Sequence, residues 1–278
     1  MKMMIQADDY GITKAVTDGI VECAKQGMMT QTGIFTNMPW VDYAAERIKE
    51  VPHVLLGQDL NLSTGGPVTD PKLIPTLVQE NGQFLTSAMH RKRDQENPHN
   101  VTYEDAYLEY DNQVKKFIEL FDKLPGYIGG HAWSSEETDK ALNDIADKYG
   151  IFNALAILDE PKPKYTMYHN LEGEWARPIV REDGRYDFSV QSQSENDPLK
   201  MFREGKFDEI FKDTLENKDV FFLHTHAGYL DRELLQLSSF SVIRPMEVGL
   251  LCSAELKKWV KDNNVELVNY LDLYKVGD

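Results

Sequence analysis

Two adjacent carboxylates, Asp8 and Asp9, close the apolar run Met3-Met4-Ile5-Gln6-Ala7, and Tyr10 and Gly11 follow them. A short apolar run of this kind reads as a buried strand, so the strand ends on charge rather than on a solvated turn. Side by side, the two carboxylates repel one another, and burying both without partners is costly. A divalent cation or a shared proton would relieve that repulsion. An Asx turn capping the next helix, with Gly11 supplying a positive φ, is the other reading the dipeptide leaves open. Further polar groups stand at other strand ends: Asp59 and Asn61 late in VLLGQDLNL, His131 after YIGG, and His226 after VFFLHT. Carboxylate and imidazole drawn from distant strands are the ligand chemistry of a divalent metal. A single His at a strand end is more often a hydrogen-bonded structural residue, and His224, two residues before His226, reads that way, with a metal ligand as the alternative. The weight lies in several such groups recurring at the same position in successive strands.

The elements that must position them alternate. Thr13 reads as the N-cap of a helix with Val16, Ile20, Cys23 and Ala24 on one face, stopped by Gly27. Thr30 to Phe35 reads as a strand, Trp40 to Glu50 as a helix, and Val54 to Leu62 as a third strand. Ser63 to Asn100 reads as a long irregular loop whose basic cluster, His90 to Arg93, is solvated, and loops of this length often carry function. Thr102 caps a long helix with Val114, Phe117, Ile118 and Phe121 on one face. A short strand follows at Tyr127 to His131, then a helix with a capping box from Ser134 to Glu137, and a strand near Phe152 to Leu158. Residues 161–198 look like an irregular insertion. Val220 to Leu223 is a strand, Ser238 to Arg244 a loop, Met246 to Lys261 a helix, and Glu266 to Asn269 a last strand. Alternating strands and helices imply parallel βαβ units. The expectation is an α/β fold, one distorted (β/α) barrel domain over residues 1–278 with about seven strands, its site at the strand C-termini.

Composition narrows the partners. Acidic residues outnumber basic ones 46 to 30 across the 278 residues, for a formal charge of −16. That excludes a nucleic-acid backbone and an anionic membrane surface as natural partners and is compatible with a small neutral or cationic substrate. The two cysteines, Cys23 and Cys252, are too few and too far apart in sequence for a disulfide framework or a zinc site. No apolar run approaches membrane-spanning length, and the strand at the very start leaves no room for a signal peptide; the expected compartment is the cytoplasm.

The runs ADDYG, GQDLNLSTGGP, GGHAW and THAGYLD, followed by SSF and RPMEVGLL, are together similar to the YdjC-like carbohydrate deacetylases, a family that resembles the wider NodB-type deacetylases. The resemblance implies a seven-stranded barrel that removes acetyl groups from N-acetylated oligosaccharides with a divalent metal, and a possible homodimer. By position it implies that Asp8 is the general base, Asp9 and His131 are metal ligands, His226 is the general acid, and Arg244 orders the site. Trp133 and Tyr229 are then placed to offer flat faces to a sugar ring, or serve as core packing.

The chain departs from the family pattern where Asp59 replaces a His, Gly129 an Asp, Trp133 a second His and Ala227 a Pro. Asp59 as a third ligand keeps ligand capacity but supplies harder oxygen, which favours Mg2+, with Mn2+ or Zn2+ as alternatives; otherwise it merely hydrogen-bonds. Loss of the carboxylate at Gly129 would loosen the orientation of His131. Two other function classes stay open at this stage. A glycoside or phospho-disaccharide hydrolase would use paired carboxyls, with His90 to Arg93 as a phosphate clamp. A non-catalytic sugar-binding relative would have lost its metal site.

Overall fold

The first strand, β1 (Lys2–Tyr10), is the hub of the sheet. It pairs in parallel with β2 (Gln31–Ile34) on one side and β8 (Val220–Thr225) on the other, and its first residues also pair with the short β9 (Glu266–Leu267). β3 (Leu55–Leu60) and β4 (Ile128–Gly130) extend the β2 edge, and β5 (Met167–His169) lies beyond β8. The result is a seven-stranded parallel sheet, six strands in the order β4-β3-β2-β1-β8-β5 and β9 off this path against β1, curled as a half-barrel. No pairing joins β4 to β5 among the described residues, which in this computed structural model are 1–154, 167–169, 171–182, 186–188 and 196–274. A separate two-stranded antiparallel hairpin is formed by β6 (Ile179–Val180) and β7 (Tyr186–Asp187).

Period-two alternation sorts β1 onto two faces. Met3, Ile5 and Ala7 join the outer core with Val16 and Ile20 of α1 (Lys14–Gln26), while Met4 points inward with Tyr127, Val220 and Tyr270. A second outer core packs α4 (Tyr103–Phe121) and α5 (Glu136–Tyr149) over β3 and β4, through Val114, Ile128, Ala141 and Ile145. Gly57 makes the inner packing possible, because a Cβ there would sit 2.3 Å from the Tyr127 ring.

Several local expectations need correction. The stretch 63–100 contains a helix, α3 (Ser87–Glu96), capped by Thr86. The basic cluster lies on that helix rather than in a solvated loop: His90 is fully buried, and Arg93 donates to the Thr76 and Asn100 carbonyls. The second helix is α only over α2 (Val41–Arg47), with one 3-10 turn after it. α5 starts one residue later than expected, because its capping box joins Ser135 to Thr138. α6 (Pro198–Arg203) and α7 (Asp208–Asn217) precede β8, and α8 (Arg232–Leu237) follows it. The single helix expected over 246–261 is two, α9 (Ile243–Leu251) and α10 (Ala254–Asp262), because the Ser253 side chain caps a new start. The chain then closes with a short α11 (Tyr270–Leu273). At 152–154 the backbone makes one bridge to β4, and the rest of the strand expected there lies outside the described residues.

Two glycines on the inner face give a direct test. Gly57→Ala is expected to destabilise the protein by roughly 1–3 kcal/mol through overpacking. Gly129→Ala, whose Cβ would have no neighbour within 4 Å, should shift stability by no more than about 0.5 kcal/mol. Urea unfolding midpoints measure both.

Candidate active site

A bulge creates the site. Ala7 is in register with Thr32 but Tyr10 with Ile34, so β1 carries one extra residue at Asp8-Asp9, and Asp9 adopts φ 69°. Strict alternation would send consecutive side chains to opposite faces; the bulge re-aims one of them. Asp8 and Asp9 therefore both reach the mouth at the strand C-termini.

Asp9 is held from three directions. Its Oδ2 is ion-paired with Arg244, and its backbone N–H donates to Asp59 Oδ2 at 3.2 Å. Its Oδ1 lies 3.2 Å from His131 Nδ1 but off the line a hydrogen bond needs, so this buried oxygen has no donor. Burial alone would raise the Asp9 pKa, but the Arg244 charge, then His131, hold it well below the usual carboxylate range. Arg244 is itself 1 % exposed and donates to the Phe240 carbonyl at 2.7 Å and the His226 carbonyl at 3.1 Å. Asp59 is the opposite case: burial, then the Asp8 and Asp9 charges, push its pKa well up. Gly33 leaves the space it occupies, since a Cβ there would stand 1.9 Å from Asp59 Oδ1.

The other half of the mouth is a chain of alternating acids and imidazoles. Gln6 Nε2 donates to Asp8 Oδ1 at 2.5 Å, and His224 Nε2 lies 2.7 Å from Asp8 Oδ2. His224 Nδ1 is 4.0 Å from Glu172, and His226 Nδ1 is 2.8 Å from the same carboxylate. Glu247, fully buried on α9, accepts from the His226 backbone N–H and from Trp175 Nε1, both at 2.9 Å. Burial lowers the His224 pKa, but Asp8 outweighs it and lifts the ring from 6.5 to about 9. His226 is raised in the same way, with Glu172 overcoming burial. Asp8 and Glu172 are lowered because their histidines outweigh burial. Burial, then Glu172, push the Glu247 pKa well up.

These positions bear on the residues singled out in the sequence. The structure brings Asp8, Asp9, Asp59, His131, His226 and Arg244 to one mouth. Among the described residues, one trio has metal-ligating atoms mutually within 4.8 Å: Asp8, His224 and His226. Asp9, Asp59 and His131 are adjacent but do not form such a trio; what they offer is the donor-less Asp9 Oδ1 beside the His131 ring. Asn61 uses both ends of its amide on the following loop, accepting from Ser63 and Thr64 N–H and donating to Asn37 and the Thr64 carbonyl. Trp133 stacks on His90 with ring centroids 3.9 Å apart and donates to Asp94 at 2.6 Å. Tyr229 sits on the helix layer, its backbone N–H bonded to the Ala15 carbonyl and its hydroxyl influenced by Glu22 and Cys23. Sequence reasoning missed Glu172 and Glu247 and undervalued His224. Glu247 had a signal, its i,i+3 spacing from Arg244 on one helix.

Comparison with known proteins agrees with this architecture. The YdjC-like protein family profile matches residues 2–262. A Listeria innocua protein named carbohydrate deacetylase 2 is 29% identical, covering 99% of this chain and 100% of its own. The carbohydrate deacetylase of Oceanobacillus iheyensis is 28% identical over 94% of this chain and 100% of its own. A crystal structure from Enterococcus faecalis, of a protein provisionally assigned to cellobiose-phosphate cleavage, superposes with a TM-score of 0.72 at 24% identity and covers 98% of each chain; it establishes the shared fold.

The Asp8–His224 pair predicts a pH signature in metal-free protein. The folded pKa of His224 is raised, so its contribution to stability is fully present below 6.5 and is lost as pH rises through about 9. The lowered Asp8 pKa sets the acid side, the contribution being lost as pH falls through the folded carboxylate value. The stability gap between wild type and His224→Gln, measured by urea unfolding with chelator present, should therefore be widest near pH 6 and shrink toward pH 10.

Proposed function

The chain belongs to the YdjC-like protein family, and from that premise we propose that it is a carbohydrate deacetylase, a hydrolase that removes acetyl groups from N-acetylated saccharides with the aid of a divalent cation. The observation that carries this reading is the juxtaposition at the mouth of Asp8, ion-paired with His224, and His226, whose Nδ1 is taken by Glu172. His226 Nε2 has no hydrogen-bond partner among the described residues, so one imidazole nitrogen is free for substrate. Hydrolysis of an acetamide needs these two groups. Asp8 accepts a proton from the attacking water as the new C–O bond forms. His226, whose pKa Glu172 raises against the effect of burial, in its protonated form gives a proton to the nitrogen as the C–N bond breaks, releasing amine and acetate.

The residues fit a cation. Asp9 Oδ1 is buried without a donor and stands beside His131 Nδ1, so the two atoms could serve as ligands to one cation. Asp9, His131 and Asp59 are the proposed holders, and their oxygen-rich set favours Mg2+ over Zn2+. A cation bound there would act as a Lewis acid toward the acetyl carbonyl. The spacing of Asp8, His224 and His226 favours a second placement, but those groups already neutralise one another with protons. A glycosidase reading has less support: it needs carboxyls facing each other across a sugar, whereas Asp8 and Asp9 are consecutive and each is engaged by a cationic side chain.

The test combines metal analysis with acetate release from N,N′-diacetylchitobiose. Wild type is expected to release acetate and to stop when chelated. Asp9→Asn and His131→Ala should each lose the cation and turnover. His226→Ala should keep the cation and lose about 10²- to 10⁴-fold in kcat. Loss of the cation in His224→Ala with retention in His131→Ala would move the ion to the other trio. Chelator-insensitive acetate release would overturn the metal, and cleavage of the glycosidic bond without acetate release would overturn the deacetylase.

A further inference from the structure

Beneath Asp8 the inner face of the sheet carries two buried amides where a barrel normally packs aliphatic side chains. Gln6 and Gln31 are register partners on β1 and β2, 5 % and 0 % exposed. Gln31 Oε1 accepts the Tyr270 backbone N–H at 3.0 Å, Gln31 Nε2 donates to Gln6 Oε1 at 2.6 Å, and Gln6 Nε2 donates to Asp8 Oδ1 at 2.5 Å.

The polarity of this line is not free. A backbone N–H can only donate, so it fixes which end of Gln31 is oxygen. The Gln31 nitrogen must then face Gln6, which turns the Gln6 oxygen down and its nitrogen up to Asp8. The source is the first turn of α11. There the Asn269 side chain accepts from the Leu271 and Asp272 N–H groups and Asp272 accepts from Asn269 N–H, which leaves the Tyr270 N–H to Gln31. The C-terminal turn thus dictates which atom meets a carboxylate three hydrogen bonds away.

We propose that Gln31 is a positioning residue for Asp8, acting through Gln6, and that the C-terminal turn Asn269–Leu273 sets the orientation of both amides. The proposal rests on the reading of Asp8 as the group that accepts the proton in acetate release. Without the Gln6 donor, one Asp8 oxygen loses the bond that fixes its rotation, while His224 still holds the other.

Gln31→Met keeps volume and neutrality but breaks the line at both bonds. It is expected to lower kcat on N,N′-diacetylchitobiose by about 10- to 100-fold, the usual cost of losing an outer-shell partner, with KM within about twofold. In a Gln6→Met background the same change should cost nothing further, because the line is already cut. Additive losses, or a loss confined to KM, would overturn the proposal. An arm independent of activity uses the Gln6 side-chain NH₂ resonances, assigned by their disappearance in Gln6→Met. Gln31→Met should shift them and speed their exchange with solvent; unchanged resonances would overturn the relay even if the protein releases acetate. Failure of wild type to release acetate, with the Gln6 resonances still responding, would instead overturn the deacetylase reading. Should Gln31→Met not fold, Gln31→Asn supplies the second variant: one methylene shorter, its amide stays polar but cannot bridge the Tyr270 N–H and Gln6, with the same loss in kcat.

Discussion

The buried ion pair between Arg244 and Asp9 holds the mouth together. It ties the first turn of a helix late in the chain to the C-terminal end of the first strand, with both partners almost wholly removed from water. Removing one member of such a pair costs about 3–5 kcal/mol, because the other is left charged and dry. The guanidinium also holds the His226 and Phe240 carbonyls, so one side chain sets the positions of β1, the end of β8 and the loop before α9. Asp9 in return tolerates a positive φ, an arrangement of order 1–3 kcal/mol that persists only where surroundings enforce it.

Charge balance explains why so many ionisable groups coexist there. Asp8, Asp9 and Glu172 are held ionised, and His224 and Arg244, with a raised His226, stand against them. The two acids that find no cation of their own have pKa values pushed well up, Asp59 by burial, then Asp8 and Asp9, and Glu247 by burial, then Glu172. Each still serves as an acceptor, Asp59 for the Asp9 N–H and Glu247 for the His226 N–H. The backbone beside each proposed catalytic group is therefore fixed by a buried carboxyl group. His226 gains a second constraint from Glu172, which selects the ring nitrogen left for chemistry.

How much of this was legible in the sequence depends on distance along the chain. The parallel α/β architecture follows from alternating apolar strands and amphipathic helices, and Thr13 and Thr102 cap where their side chains can reach the next turn. The polar strand ends Asp8, Asp9, Asp59, His131 and His226 were visible because strand C-termini share one face of such a fold. The β1 bulge was not visible, since it is a mismatch between two strands and not a property of either. Glu172 sits in a stretch whose composition reads as insertion, and only its contact with two histidines, one in β8 and one just after it, gives it meaning. The cluster His90 to Arg93 failed for a related reason: charge suggested solvent, while Trp133 stacks on the His90 ring and lets burial drop its pKa to about 4.

Asp59 shows how a departure from a family pattern can be absorbed locally. A carboxyl at this place sits over a glycine that has no room for a Cβ, and opposite Gly129, where space is open. One of its oxygens is already committed to the backbone of its strained neighbour. Any role for Asp59 toward a cation must therefore use the other oxygen, on a carboxyl whose pKa burial and then Asp8 and Asp9 push well up. A carboxyl binds a cation in its ionised form, so affinity at such a site would rise with pH. What the carboxyl supplies without any cation is the acceptor that holds the Asp9 backbone in place.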